Sequence, residues 1–324
     1  MVITVALILL LLASCRSAPA AAPPRDSPYV LVLGTAQDGG LPQIGCEGAC
    51  CARARAEPSL RRRVTSLLLC DPRDGRRWLF DCTPDLAEQV ERARGHPATR
   101  RTDGPRPALF DGIFLTHAHM GHYAGLVALG REAYGARDVP TWVTPRLARF
   151  LESNGPWSLL VREERIVLRE LPEGAPVELA PDLSVVAFRV PHRDELSDTV
   201  GFEIRGPDRT LVYLPDIDKW EAWDAAGGGP GRIEGLLARC DVALLDGCFF
   251  AEGEIPGRSL AEIRHPFVTE SIARFASLPA AARAKVRFTH LNHTNPAADP
   301  GSAAAAAVRA SGMHVLEERA LFGL

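Results

Sequence analysis

Several short apolar runs in this chain stop on a histidine or an aspartate, and that pattern constrains the fold more than any other feature. Ile113-Phe114-Leu115 runs into Thr116-His117-Ala118-His119-Met120-Gly121-His122. Val185 to Val190 leads to His192, Leu211 to Leu214 to Asp216, Val286 to Phe288 to His290, and Trp78 to Phe80 to Asp81. Runs of this length, rich in β-branched and aromatic residues, read as strands. Strand ends at one edge of a sheet converge in space, and loops there commonly carry function.

Further runs of the same kind are Val30–Leu33, Ser66–Leu69, Thr141–Val143, Ile166–Leu168, Val200–Ile204 and Val242–Leu245. Helical patterns lie between them at Asp85–Ala93, Tyr123–Tyr134, Arg146–Glu152, Ile233–Arg239, Val268–Leu278 and Ser302–Ala310. Groups of strands with helices inserted predict two packed sheets with helices outside, an α+β, four-layer αββα sandwich. No linker or repeat splits the chain after Tyr29, so residues 29–324 are read as one domain, and Gly227-Gly228-Gly229-Pro230-Gly231 as a loop within it.

The residue types at the strand ends are those of a metal site. Neutral imidazole and carboxylate are the usual nitrogen and oxygen ligands of zinc, manganese and iron. His117 and His119, two apart, turn to one side in an extended loop. His122 starts the next helix and faces a second position. Asp216 is the carboxylate free to bridge two ions, and ions about 3.5–4 Å apart can activate water and clamp both oxygens of a displacement.

The His-x-His-x-x-His run, with His192, Asp216 and His290 following in order and Asp81 closing an early strand, resembles the signature of the metallo-β-lactamase superfamily. The resemblance covers roughly residues 29 to 300. Two segments are similar to the branch that holds pyrroloquinoline quinone biosynthesis protein B, ribonuclease Z and cyclic-phosphate phosphodiesterases. They are Leu33-Gly34-Thr35-Ala36-Gln37-Asp38-Gly39-Gly40 with a cysteine cluster after it, and Thr289-His290-Leu291-Asn292-His293-Thr294-Asn295-Pro296. The resemblance implies metal ligation by His117, His119, His122, His192, Asp216 and His290. It implies one or two catalytic Zn2+ ions, with Mn2+ or Fe as alternatives. His265, before a predicted helix, falls near a histidine that assists proton transfer in the ribonuclease Z branch. Its bland alternative is a helix-start histidine bonded to backbone. Superfamily members with two metals usually carry Asp where this chain has Gly121. The expectation is a second metal position short of one carboxylate and weaker than the first, with Gly121 also permitting a tight turn.

Cys46-x-x-x-Cys50-Cys51 lies near a common zinc-ligand spacing. Related phosphodiesterases and the quinone-biosynthesis protein carry a Cys-x-Cys-x-x-Cys knuckle completed by a late histidine. The resemblance implies a structural Zn2+ held by Cys46, Cys50, Cys51 and His293. This chain departs from that pattern, with Gly48 at the middle cysteine and Cys50 extra. A disulfide from Cys46 stays the alternative outside the cytoplasm.

Val2 to Leu12 is an uncharged apolar run of signal-peptide length, too short to span a bilayer comfortably as a mature helix. Leu12-Ala13-Ser14-Cys15 resembles a lipobox, although no Lys or Arg precedes the run. Residues 1–15 are therefore read as a lipoprotein-type leader and residues 16–28, rich in Ala and Pro, as a tether. The expected localisation is an exported, membrane-anchored protein held through Cys15, with a simple secreted protein as the alternative.

A net charge of -3 gives no electrostatic case for nucleic-acid binding. The expected partner is a small-molecule substrate. The leading functional reading is an exported hydrolase that uses a metal-activated hydroxide on a phosphodiester or other ester, with Asp216 and His265 as catalytic residues. The alternatives are an oxidative enzyme resembling the quinone-biosynthesis protein, with two histidines and Asp216 on iron, and a non-catalytic metal-stabilised surface protein. Lactamase activity does not follow from the fold alone.

Overall fold

A computed structural model describes residues 24, 26–94, 107–227, 231–255 and 263–324. The expected leader, Cys15, most of the tether and part of the Gly227–Gly231 loop lie outside the described residues.

Two seven-stranded mixed sheets face each other. The first holds β1 (Tyr29–Gly34), β2 (Ser66–Asp71), β3 (Arg76–Phe80), β4 (Gly112–Phe114), β5 (Val139–Val143) and β6 (Ile166–Glu170), in that spatial order, with the late strand β14 (Leu321–Gly323) beside β1. The second holds β7 (Pro176–Ala180), β8 (Leu183–Val190), β9 (Thr199–Arg205), β10 (Thr210–Leu214), β11 (Val242–Asp246), β12 (Val286–Thr289) and β13 (His314–Val315), again in chain order. The tail strand pairs Gly323 with Tyr29, so the two ends of the expected domain close on one another.

Period-two side-chain alternation divides the core into layers. In β2, Leu67 and Leu69 point between the sheets, where Val30, Val32, Trp78, Phe80 and Phe114 meet Val185, Phe202, Ile204, Leu211 and Tyr213 of the other sheet. Leu68 and Cys70 point the other way, against Leu86, Leu126, Leu147 and Leu151 of the outer helical layer. The second sheet is covered likewise: Val212, Leu214, Leu245, Val286 and Phe288 pack on Trp220, Ile233, Leu236, Val268 and Phe275. The four-layer αββα sandwich expected from the sequence is the observed arrangement.

The helices are α1 (Ala49–Ala56), α2 (Leu86–Arg94), α3 (Met120–Tyr123), α4 (Pro145–Ser153), α5 (Trp157–Arg162), α6 (Trp220–Ala226), α7 (Arg232–Arg239), α8 (Val268–Phe275), α9 (Ala280–Arg283) and α10 (Ala303–Ala310). The helix expected over Tyr123–Tyr134 is a correction. Only α3 is α-helical there, and Ala124–Leu129 follows as a 3-10 segment. The cause is Gly125, whose position lies so close to the loop after β3 that an added Cβ would meet the Thr83 carbonyl oxygen at 2.0 Å. The apolar residues Leu126 and Leu129 are still buried, which is why the periodicity resembled a longer helix.

Strand direction decides where the polar residues gather. β3 and β4 are parallel, and so are β10, β11 and β12. β8 and β10 both flank β9 antiparallel, so they run the same way as each other. β1 is antiparallel to β2, and β2 to β3, so β1 runs with β3. The C-terminal ends of like-directed strands share one edge of each sheet, and each of these ends carries a histidine or an aspartate.

Candidate metal centre

At that edge the six expected ligands come together. The ligating atoms of His117, His119, His192 and Asp216 lie within 4.8 Å of one another, and His122 and His290 form a second group of the same compactness with Asp38. Asp216 joins the two. Its Oδ2 is 3.3 Å from His117 Nε2, 3.4 Å from His122 Nε2 and 3.5 Å from His290 Nε2, while its Oδ1 is 3.3 Å from His192 Nε2. His122 Nε2 and His290 Nε2 are 3.3 Å apart. Ligand atoms about 2.0–2.2 Å from a tetrahedral zinc ion stand about 3.3–3.6 Å from one another, and the separations around Asp216 match that spacing.

The donors also fit an ion by what they lack. His117 Nε2, His119 Nδ1, His192 Nε2 and Asp216 Oδ1 are buried and have no hydrogen-bond partner. Buried polar atoms are nearly always paired, and four unpaired ones on residues whose ligand atoms gather within 4.8 Å of one another fit a cation. Burial disfavours charge on the imidazoles and pushes His117 well below its ordinary range, His119 down to about 4, and His290 down as well. Neutral imidazole is the ligating form. Burial opposes charge on Asp216 too, but His192, His290 and His265 outweigh it and hold the carboxyl well below the usual range.

Three aspartates orient the ligands from behind. Asp81, which follows β3, accepts His122 Nδ1–H at 2.8 Å and Tyr213 O–H at 3.0 Å on Oδ2, and the Thr116 backbone N–H and hydroxyl at 2.9 Å on Oδ1. Asp218 Oδ1 lies 3.2 Å from His192 Nδ1, which leaves Nε2 of that ring as the ligating atom. Asp246, the last residue of β11, accepts His265 Nδ1–H at 2.8 Å and the backbone N–H groups of Ile217 and Cys248. Asp81 and His290 both adopt positive φ, 61° and 59°, at the ends of their strands. Non-glycine residues in this region carry backbone strain that the surrounding structure must hold.

His265 is buried and reaches the same pocket, with Nδ1 3.2 Å from Asp216 Oδ1. Burial would lower its pKa, but Cys248, Asp246 and Asp216 together raise it well above the ordinary range. Its backbone is not what it binds, and the bland helix-start reading does not describe its contacts.

The sequence reading passed over Asp218, Asp246 and Asp38. Asp246 closes an apolar run as Asp81 does, and that signal was available. Asp218 carried no signal beyond standing two residues after Asp216. Gly121 leaves the His117–His122 segment without the carboxylate that the resemblance expects there. Asp38, in the loop after β1, fills the space beside it, and a Cβ at Gly121 would stand 2.1 Å from Asp38 Oδ1.

The cysteine cluster sits one loop away. Cys46, Cys50, Cys51 and His293 offer ligand atoms within 4.8 Å of one another. Cys50 Sγ and Cys51 Sγ are 3.9 Å apart, and they stand 3.6 Å and 3.4 Å from His293 Nδ1. A tetrahedral zinc with sulfur at about 2.3 Å and nitrogen at about 2.0 Å needs separations of about 3.8 and 3.5 Å. The described cysteines are all free thiols, so no disulfide from Cys46 is present.

Comparison with known proteins agrees with this architecture. The family model described as "Beta-lactamase superfamily domain" matches residues 76–293. Coenzyme PQQ synthesis protein B of Methylorubrum extorquens is 28% identical over 317 residues, covering 90% of this chain and 98% of its own. The protein of the same description from Pseudomonas aeruginosa is 27% identical over 89% of this chain and 97% of its own. Among solved structures, Zn(2+)-bound PqqB from Methylobacterium extorquens superposes with a TM-score of 0.74 at 24% identity, covering 91% of this chain and 100% of that one. A diphosphatase from the PhnP family gives 0.61 at 20% identity, covering 92% and 97%. These structural likenesses show the fold.

Proposed function

Since the chain belongs to the beta-lactamase superfamily, we propose that it is a metal-dependent hydrolase of a small phosphodiester or other ester. The observation that carries this reading is Asp216, shared between two adjacent sets of ligand atoms with His265 against it. His117, His119, His192 and Asp216 on one side, and His122, His290 and Asp216 on the other, would hold zinc, which would supply Lewis acidity at the centre.

The protein's own residues do the rest. Asp216 holds the two ligand sets at a fixed spacing. Asp81 and Asp218 fix the tautomers of His122 and His192 so that each presents Nε2. His265, protonated through its contacts with Asp246 and Asp216, gives a proton to the departing oxygen. Its Nδ1–H is taken by Asp246, so Nε2–H is the mobile one. The αββα frame and the burial of the ligands limit water around the centre.

A second reading is oxidative chemistry on iron, favoured by the near full-length similarity to coenzyme PQQ synthesis protein B. Metal analysis of purified protein, paired with a panel of phosphodiesters, phosphomonoesters, lactones and carboxylic esters, separates the two. Turnover of an ester with zinc or manganese bound supports hydrolysis. Iron as the bound metal, with oxygen consumption and no ester turnover, sinks the hydrolytic reading. The sequence before Tyr29 supports an exported protein that starts at Cys15 and is lipid-anchored there. The net charge of -3 supports a small-molecule substrate rather than a nucleic acid.

A further inference from the structure

Position 121 is where the superfamily resemblance expects an aspartate for the second metal, and glycine stands there instead. The geometry points to Asp38 as the replacement ligand: a carboxylate from the loop after β1 takes the place of the one missing from the His117–His122 segment. This rests on reading the histidine cluster as a metal centre.

Three observations carry it. First, the space is the same. A Cβ built on Gly121 would lie 2.1 Å from Asp38 Oδ1 and 2.7 Å from its Cα, so a side chain at 121 and the observed Asp38 exclude each other. Second, the carboxylate is aimed at the second ligand set. Asp38 Oδ1 accepts the Gly121 backbone N–H at 3.2 Å and lies 3.7 Å from His122 Nε2, and its ligand atom groups with those of His122 and His290.

Third, the loop is built to hold it there. Leu291 N–H donates to Thr35 O at 2.9 Å and Gln37 N–H to Leu291 O at 2.9 Å, so the chain just before Asp38 is zipped to the chain just after His290. The Asn292 side-chain amide donates to Gln37 Oε1 in the same strip. A tight turn follows, with Gly40 N–H donating to Gln37 O at 2.8 Å. Asp38 and His290 are therefore fixed relative to each other by main chain. The second position then has two histidines, Asp38 and the shared Asp216, and regains the carboxylate and the negative charge that Gly121 lacks.

The test uses the full chain, stripped of metal and titrated with Co2+ and then Zn2+. Ions bound at the histidines are distinguished from the cysteine site by the thiolate-to-cobalt charge-transfer band. Wild type should take up two ions at the histidine cluster. Asp38→Ala and the isosteric Asp38→Asn should lose one of them, or bind it about tenfold or more weakly, with an unchanged melting temperature in the metal-free state. Gly121→Asp alone should gain no ion and melt lower. Asp38→Ala retaining both ions at wild-type affinity would overturn the assignment while leaving the metal centre standing. A wild-type histidine cluster that takes up no ion would instead overturn the metal-centre reading, and this assignment with it.

Discussion

His122 Nδ1 lies 2.8 Å from Asp81 Oδ2, and both side chains are fully buried. Asp81 has no acceptor capacity to spare, because Thr116 and Tyr213 use the rest of it. In Asp81→Asn the amide oxygen can serve either Thr116 or His122, and the other side meets an N–H. If the NH2 faces His122, the ring flips tautomer and its proton moves to Nε2, the ligating atom. The expected outcome is a metal affinity about 10–100-fold lower at the histidine cluster, measured by competition with a chelating dye. Unchanged affinity would separate Asp81 from the metal.

Burial alone would lower the pKa of His122, but Asp81 and Asp216 outweigh it and raise the pKa well above the ordinary range. The metal-free protein then carries an imidazolium at neutral pH, and an ion must displace its Nε2 proton. Uptake at the His122 position should release about one proton, and affinity should fall as pH falls. Titration calorimetry in buffers of different ionisation enthalpy reads this directly. A heat independent of buffer would refute it.

His117→Ala and Asp216→Ala should each abolish turnover of the true substrate. Both side chains come from loops beyond strand ends rather than from the inter-sheet core, so the secondary structure should be retained by circular dichroism. Full activity in either variant would refute its assignment.

Cys46→Ser should remove about one zinc per chain and lower the melting temperature, since structural zinc contributes folding energy directly. His293 is three residues beyond His290, and Cys46 is eight beyond Asp38. Loss of the cysteine-site ion should therefore also weaken the second histidine-cluster ion. A zinc content equal to wild type by elemental analysis would show that the cluster holds no metal.

The chain before Tyr29 predicts processing. The mature protein should begin at Cys15 and partition into detergent, and Cys15→Ser should release it. A soluble mature protein with a different N-terminus would rule out the lipid anchor.

The sequence by itself pointed to the sandwich and to Asp216 with five histidines, His117, His119, His122, His192 and His290, as the candidate ligands. Short β-branched runs have a period visible in any window, and His117, His192, Asp216 and His290 each stand two residues beyond such a run, so burial pattern and ligand mark each other. The boundaries of α3 were not legible, because the apolar spacing of Leu126 and Leu129 is the same in α and 3-10 turns and the contact between Gly125 and Thr83 is long-range. Nor was the partnership of Cys50 and Cys51 with His293, more than two hundred residues away, open to anything but resemblance. The partners of Asp38 and Asp218 were set by the tertiary structure alone. A carboxylate's function depends on which backbone and ring nitrogens come within about 3 Å of it. For Asp38 those neighbours arrive only when the chain after β1 lies beside the chain after β12, two segments far apart in sequence.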